Sequence, residues 1–236
     1  MSEYNNKKFI YSGPSWAAQS FNTPDGNEGN TLSLLKQWGL EEVARNVSNR
    51  GSNFNSQYDR IKNTELDLPV IYISCEPMAI YNTNPDEYIN SYIDNWEAFW
   101  DMRTEINKRN MDRLSKLNNP VAIIGAHTDI SDVPDNITII DSSWQNFLRK
   151  EAGLDTGYNW GAEVLHTHMR TAKNNILNLL NEKKGSDFIV SKIHDQFEIW
   201  KKLEGQGLFC YCHPNRYANK LYARYTSSNV FNFLGL

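Results

Sequence analysis

The sequence predicts an α/β protein, a three-layer α/β/α sandwich around a mostly parallel sheet. Two observations carry this expectation. Short apolar runs alternate with helical segments along the chain, and the clearest run, Leu68 to Ser74 (LPVIYIS), is apolar almost without interruption. Strands of parallel sheets are covered on both faces, and they read as continuous apolar runs for that reason. The 236 residues, 40% of them apolar, suit one domain spanning 1–236, and no linker, internal repeat or low-complexity tract divides them.

The elements follow in order. Phe9 to Tyr11 is a first strand, ended by Ser12-Gly13-Pro14, and Trp16 to Phe21 begins a helical turn. After the polar loop Asn22 to Asn30, Thr31 to Trp38 reads as a helix with Leu32, Leu35 and Trp38 inward and Gly39 as its stop. Glu42 to Val47 is a weak second strand, followed by the turn Ser48 to Asn53 and a helix over Asn55 to Lys62. Leu68 to Ser74 is the third strand. Asn84-Pro85-Asp86-Glu87 has proline and acids where a helix starts. That helix runs to Leu117, and Tyr88, Tyr92, Trp96, Phe99, Trp100, Arg103 and Ile106 form a stripe along it, read as core packing, with a pocket wall or partner surface as the alternative. Val121 to Gly125 and Ile137 to Ile140 are further strands. Ser143 to Glu151 is a helix capped by Ser142 or Ser143. Helices over Glu163 to Asn181 and Ile189 to Leu203 come next, then a short strand or loop at Leu208 to Tyr211. A closing helix spans Arg216 to Tyr225.

Composition narrows the classes of partner. The net charge is -4 with scattered basic residues, which supplies no stripe for a phosphate backbone, so no nucleic acid is expected. No apolar run is long enough to cross a membrane. The polar start, Met1 to Lys8, has no apolar signal core, so a cytoplasmic location is expected. Cys75, Cys210 and Cys212 form no disulfide framework, and Cys210-Tyr211-Cys212 is too tight for a zinc hairpin. They read as free thiols in a reducing compartment. His166 and His168, two apart on a helix, point to different sides, and Asp129, Asp132 and Asp135 read as a solvated acidic loop, so no metal is expected. There is no glycine-rich phosphate loop.

In parallel sheets, ligands bind outside the carboxyl ends of the strands. Ser15, Gly51, Glu76 and His127 each follow a predicted strand, which places all four at that edge. A serine hydroxyl needs a base within hydrogen-bond reach and donors for the oxyanion it generates. Ser15, on a tight turn fixed by Gly13 and Pro14, is the candidate nucleophile; alone it reads as a helix N-cap. His213 is held extended by Pro214 just ahead of a helix, which suits a general base; alone it reads as a loop histidine.

Taken in order, these stretches resemble the SGNH (GDSL-type) hydrolases. Gly13-Pro14-Ser15 stands for the family's Gly-Asp-Ser after the first strand. Asn49-Arg50-Gly51-Ser52-Asn53 stands for its glycine turn, and Cys210-Tyr211-Cys212-His213-Pro214-Asn215 for its Asp-x-x-His-Pro block ahead of a helix. The resemblance covers nearly the whole chain, and each motif is short. It implies a flavodoxin-like sheet and cofactor-free ester chemistry on a small-molecule or glycan ester, by hydrolysis or acyl transfer. Ser15 would be the nucleophile and His213 the base. The N–H groups of Ser15 and Gly51 would hold the oxyanion, helped by Asn53 or His127. Two departures stand out. Cys210 occupies the place of the triad acid, which leaves a Ser-His dyad or an acid such as Asp187 or Asp195 from another loop. Glu76, in Ser74-Cys75-Glu76-Pro77, stands near the family's third-block asparagine, where its charge would repel an oxyanion unless protonated or turned away. The alternative expectation is a catalytically impaired binding or interaction protein using the same cleft. The sequence leaves the oligomeric state open.

Overall fold

Side-chain alternation along short strands builds two hydrophobic layers, one on each face of the sheet. The computed structural model describes residues 6–14, 16–17, 34–49, 52–64, 66–74, 96–126, 130, 132–154, 202–210 and 213–236. Strands β1 (Phe9–Ser12), β2 (Ala44–Asn46), β3 (Val70–Ser74), β4 (Val121–Gly125) and β5 (Ile137–Asp141) pair entirely in parallel, in the order β2-β1-β3-β4-β5. Helices α1 (Leu34–Gln37), α2 (Phe54–Lys62), α3 (Trp96–Ser115), α4 (Trp144–Glu151) and α5 (Arg216–Leu234) flank it. Phe9, Tyr11, Ile71, Ile73 and Ile124 face one layer, shared with α1, α4 and α5. Ile10, Val70, Tyr72, Val121 and Ile123 face the other, shared with α2 and α3. The protein is thus a three-layer α/β/α sandwich with the flavodoxin-like strand order. Among the described residues no helix is long and apolar enough to cross a membrane.

Strand positions agree closely with the apolar runs. The strand read at Glu42–Val47 is shorter: Glu41–Val43 form a 3-10 turn and pairing covers Ala44–Asn46. The β4–β5 register slips between Ile123 and Ile124, setting Ile124 opposite Asp141. Ile137 and Ile140, three apart and therefore on opposite faces of the strand, belong to different layers. Ser143 is the cap of α4, its side chain accepting from Asn146 N at 3.2 Å. Gly39, at φ 72°, lies just past α1 as the sequence suggests. Of the stripe, Ile106 is half-buried, and the buried face of α3 continues through Asn110, Met111 and Leu114. Tyr88, Tyr92, and the helices read at Glu163–Asn181 and at Ile189 onward to residue 201, lie outside the described residues, as do the side chains of Trp96, Phe99, Trp100 and Arg103.

The closing helix departs most from expectation. Thr226-Ser227-Ser228-Asn229 reads as a helix end, yet α5 continues to Leu234 and ends at Gly235 in the left-handed region, φ 65°. Tertiary partners explain the extension. Thr226 is fully buried; its hydroxyl donates to Tyr222 O at 2.9 Å and accepts from Trp38 Nε1 at 3.2 Å. Asn229 Nδ2 donates to Ile140 O at 3.1 Å, tying the helix to the edge strand. Ahead of α5, β6 (Phe209–Cys210) and β7 (His213–Pro214) form a small antiparallel pair with Cys210 opposite His213. Asn215 then caps the helix by accepting from Ala218 N at 3.0 Å.

Tyr222 of α5 donates its hydroxyl proton to Asp141 Oδ2 at 2.6 Å. Burial first, then the Asp141 carboxylate, holds that hydroxyl well above the ordinary tyrosine range. Tyr225 is raised too, chiefly by Asp141. The folded chain therefore keeps these protons longer than the unfolded chain. Their contribution is fully present below a pH of about 10 and is lost as pH rises through the raised folded values. Thermal melts from neutral to strongly alkaline pH should show the midpoint falling above a pH of about 10. Tyr222→Phe should start lower, because it removes the 2.6 Å hydrogen bond to Asp141, and should fall less steeply. An alkaline slope equal to the parent's would reject this account.

Candidate functional site

The strand order determines where a cleft can open. The connection leaving β1 leads to β2 on one side, while the one leaving β3 leads to β4 on the other, so the crevice lies beyond the carboxyl ends of β1 and β3. The residues there are built tightly. Ser12 is completely buried, and Gly13 follows at φ +148°. A Cβ on Gly13 would approach Ala17 Cβ to 2.7 Å, Ile73 Cβ to 2.8 Å and Ile73 O to 2.9 Å. Only glycine lets the β1 turn lie this close to β3. Ala17 N donates to Pro14 O at 3.0 Å, and Pro14, Trp16 and Ala17 are buried.

The loop after β2 is joined to this turn directly. Val47 N donates to Tyr11 O at 2.9 Å and Asn49 N to Gly13 O at 3.1 Å. Asn46 Oδ1 accepts from Ser48 N at 3.0 Å and from its hydroxyl at 2.6 Å, which shapes the bend. Beneath both loops lies Gln57 of α2, fully buried. Its Oε1 accepts from the Ser12 hydroxyl at 2.7 Å and, more loosely, from Gly13 N at 3.4 Å. Its Nε2 donates to Ser52 Oγ and, at 3.4 Å, to Asn49 O. The Ser52 hydroxyl in turn donates to Asn49 O at 2.6 Å.

The first and second sequence blocks are thus adjacent through Gly13, Asn49 and Ser52. Ser15 and Gly51 themselves lie outside the described residues. Asn53, offered by the sequence as a side-chain donor, is exposed, and its Oδ1 accepts from Ser56 N at 2.9 Å as the N-cap of α2. The β3 and β4 ends lie side by side, Ala126 N donating to Ser74 O at 2.9 Å. The residues that follow, Glu76 and His127, are outside the described residues, as are Asp187, Asp195, His166, His168 and Asp129. Of His213 the backbone alone is described, extended in β7 as the following proline requires. Among the described residues no group of three or more histidine, cysteine or acidic side chains could hold a metal ion.

Gln57 was not singled out in the sequence, although a signal exists there. It falls on the same helical face as Phe54 and Ile61, both buried, so it is a polar residue at an apolar position. Such a residue is buried only where its amide finds partners.

Comparison with family models, with curated proteins and with solved structures returns no match for this chain.

Proposed function

We propose that this protein is a serine-dependent ester hydrolase or acyltransferase of SGNH type. The observation that supports the reading best is the hydrogen-bonded union of the Gly13 turn with the Asn49 loop at the β1/β3 switch point, since those stretches resemble the family's first two blocks. In this reading Ser15 attacks the ester carbonyl carbon while His213 takes its proton. The N–H groups of Ser15 and Gly51 hold the oxyanion. His213 then returns the proton to the leaving alkoxide, and water or a second alcohol releases the acyl group from Ser15. No cofactor enters these steps. The substrate class is a small-molecule or glycan ester.

Cys210, in the place of the triad acid, favours a second reading: a binding protein that keeps the cleft without the chemistry. A fluorophosphonate probe separates the two. The parent chain should be labelled, Ser15→Ala should abolish labelling, and His213→Ala should slow it by roughly three orders of magnitude. An unlabelled parent chain favours the binding protein. Product analysis with added alcohols distinguishes transfer from hydrolysis.

A further inference from the structure

We propose that Gln57 is a positioning residue whose buried amide clamps the turn bearing Ser15 to the loop bearing Gly51, holding nucleophile and oxyanion donor at one spacing. The inference rests on the ester-transfer reading above and adds to it a residue outside the family's motifs.

Gln57 spends its hydrogen bonds in an unusual way for a helical residue. None of its side-chain contacts goes to solvent, and all four go to the two loops. The direction of the amide is forced. Gly13 N–H can only donate and Asn49 C=O can only accept, so Oε1 faces the β1 turn and Nε2 faces the β2 loop. Ser52 passes the chain of donors on to Asn49 O, and Asn49 N returns it to Gly13 O. The circuit Gln57–Ser52–Asn49–Gly13 is therefore closed. Ser15 is two residues beyond one member, and Gly51 is one residue before another. A methionine would fill a similar volume on the face shared with Phe54 and Ile61. Packing therefore does not call for glutamine, whereas joining two loops does. Acyl transfer is sensitive to this spacing, because a displacement near 1 Å can cost about a hundredfold in rate.

The test compares fluorophosphonate labelling of the parent chain with Gln57→Met and Gln57→Glu, far below their unfolding temperatures. Gln57→Met removes the clamp at constant volume. It should lower the labelling rate at saturating probe by about tenfold to a hundredfold, with the half-saturating probe concentration unchanged. Gln57→Glu keeps the acceptor for Ser12 and Gly13 but has no donor for Asn49, so it should show a smaller fall. If Gln57→Met does not fold, Ser52→Ala, which removes the two hydrogen bonds through the Ser52 hydroxyl, should still slow labelling at saturating probe. A folded Gln57→Met labelled at the parent rate overturns the clamp while leaving the ester-transfer reading intact. So does Ser52→Ala at the parent rate where Gln57→Met does not fold. A parent chain that is not labelled at Ser15 overturns both.

Discussion

Gly13→Ala is expected to yield little or no folded protein. Two costs coincide at this position. The backbone stands at φ +148°, which an L side chain rarely adopts, and the added methyl would lie within 2.9 Å of Ile73 O and closer still to Ala17 Cβ and Ile73 Cβ. Backbone strain of this kind costs about 1–3 kcal/mol. Forcing an extra methyl into a packed core costs about 1–3 kcal/mol more. Relief would require β1 and β3 to separate at the crevice, and that would break the Ser12–Gln57 and Gly13–Asn49 bonds as well. Together these costs approach the whole stability of an ordinary domain, about 5–15 kcal/mol. Soluble yield and the urea unfolding midpoint measure the outcome. A Gly13→Ala protein that unfolds at the parent midpoint would show that the β1 turn does not approach β3 as described.

Trp144→Ala should be the most damaging truncation in the layer behind the site, costing about 3–5 kcal/mol. Trp144 is fully buried on the first turn of α4. It stacks on Tyr222 with centroids 4.6 Å apart and planes 8° apart, and meets Trp16 edge-on at 5.1 Å. It thereby links the closing helix to the residue next to Ser15, so its loss leaves a cavity beside the β1 turn. Trp144→Phe should cost much less. The indole N–H has no hydrogen-bond partner among the described residues, and a buried unpaired donor carries a penalty of about 1–3 kcal/mol. Removing that donor offsets part of the lost ring area. Thermal and urea unfolding of the two variants should therefore separate widely. Equal losses for phenylalanine and alanine would mean that a ring at position 144 does not pack against Tyr222 and Trp16 as described.

The strands were legible because burial on both faces leaves a simple mark. Leu68–Ser74 and Val121–Gly125 are continuous apolar runs, and they pair as β3 and β4 at the centre of the sheet. The Gly13 turn was legible for the same kind of reason, since Gly-Pro after an apolar run has few local conformations. The length of α5 was not. Local propensity reads Thr226 and its polar neighbours as a helix end, whereas Trp38 and Ile140, distant in sequence, supply the partners that let the helix continue. Asn53 illustrates the same limit within the site. Its turn position is compatible with both a donor and a cap; the start of α2 takes its Oδ1 as the cap, and the donor role belongs to a different atom, Nδ2.

By itself, the sequence determined the class of the fold, most strand positions, and the stretches of chain that belong at the carboxyl edge. Those features follow from periodicity and turn chemistry, which act over a few residues. Tertiary structure alone decided the order β2-β1-β3-β4-β5, the slip between β4 and β5, and the buried ring of hydrogen bonds through Gln57. Each of these joins groups far apart along the chain, and a buried amide or a strand edge accepts whichever partner the packed molecule brings to it.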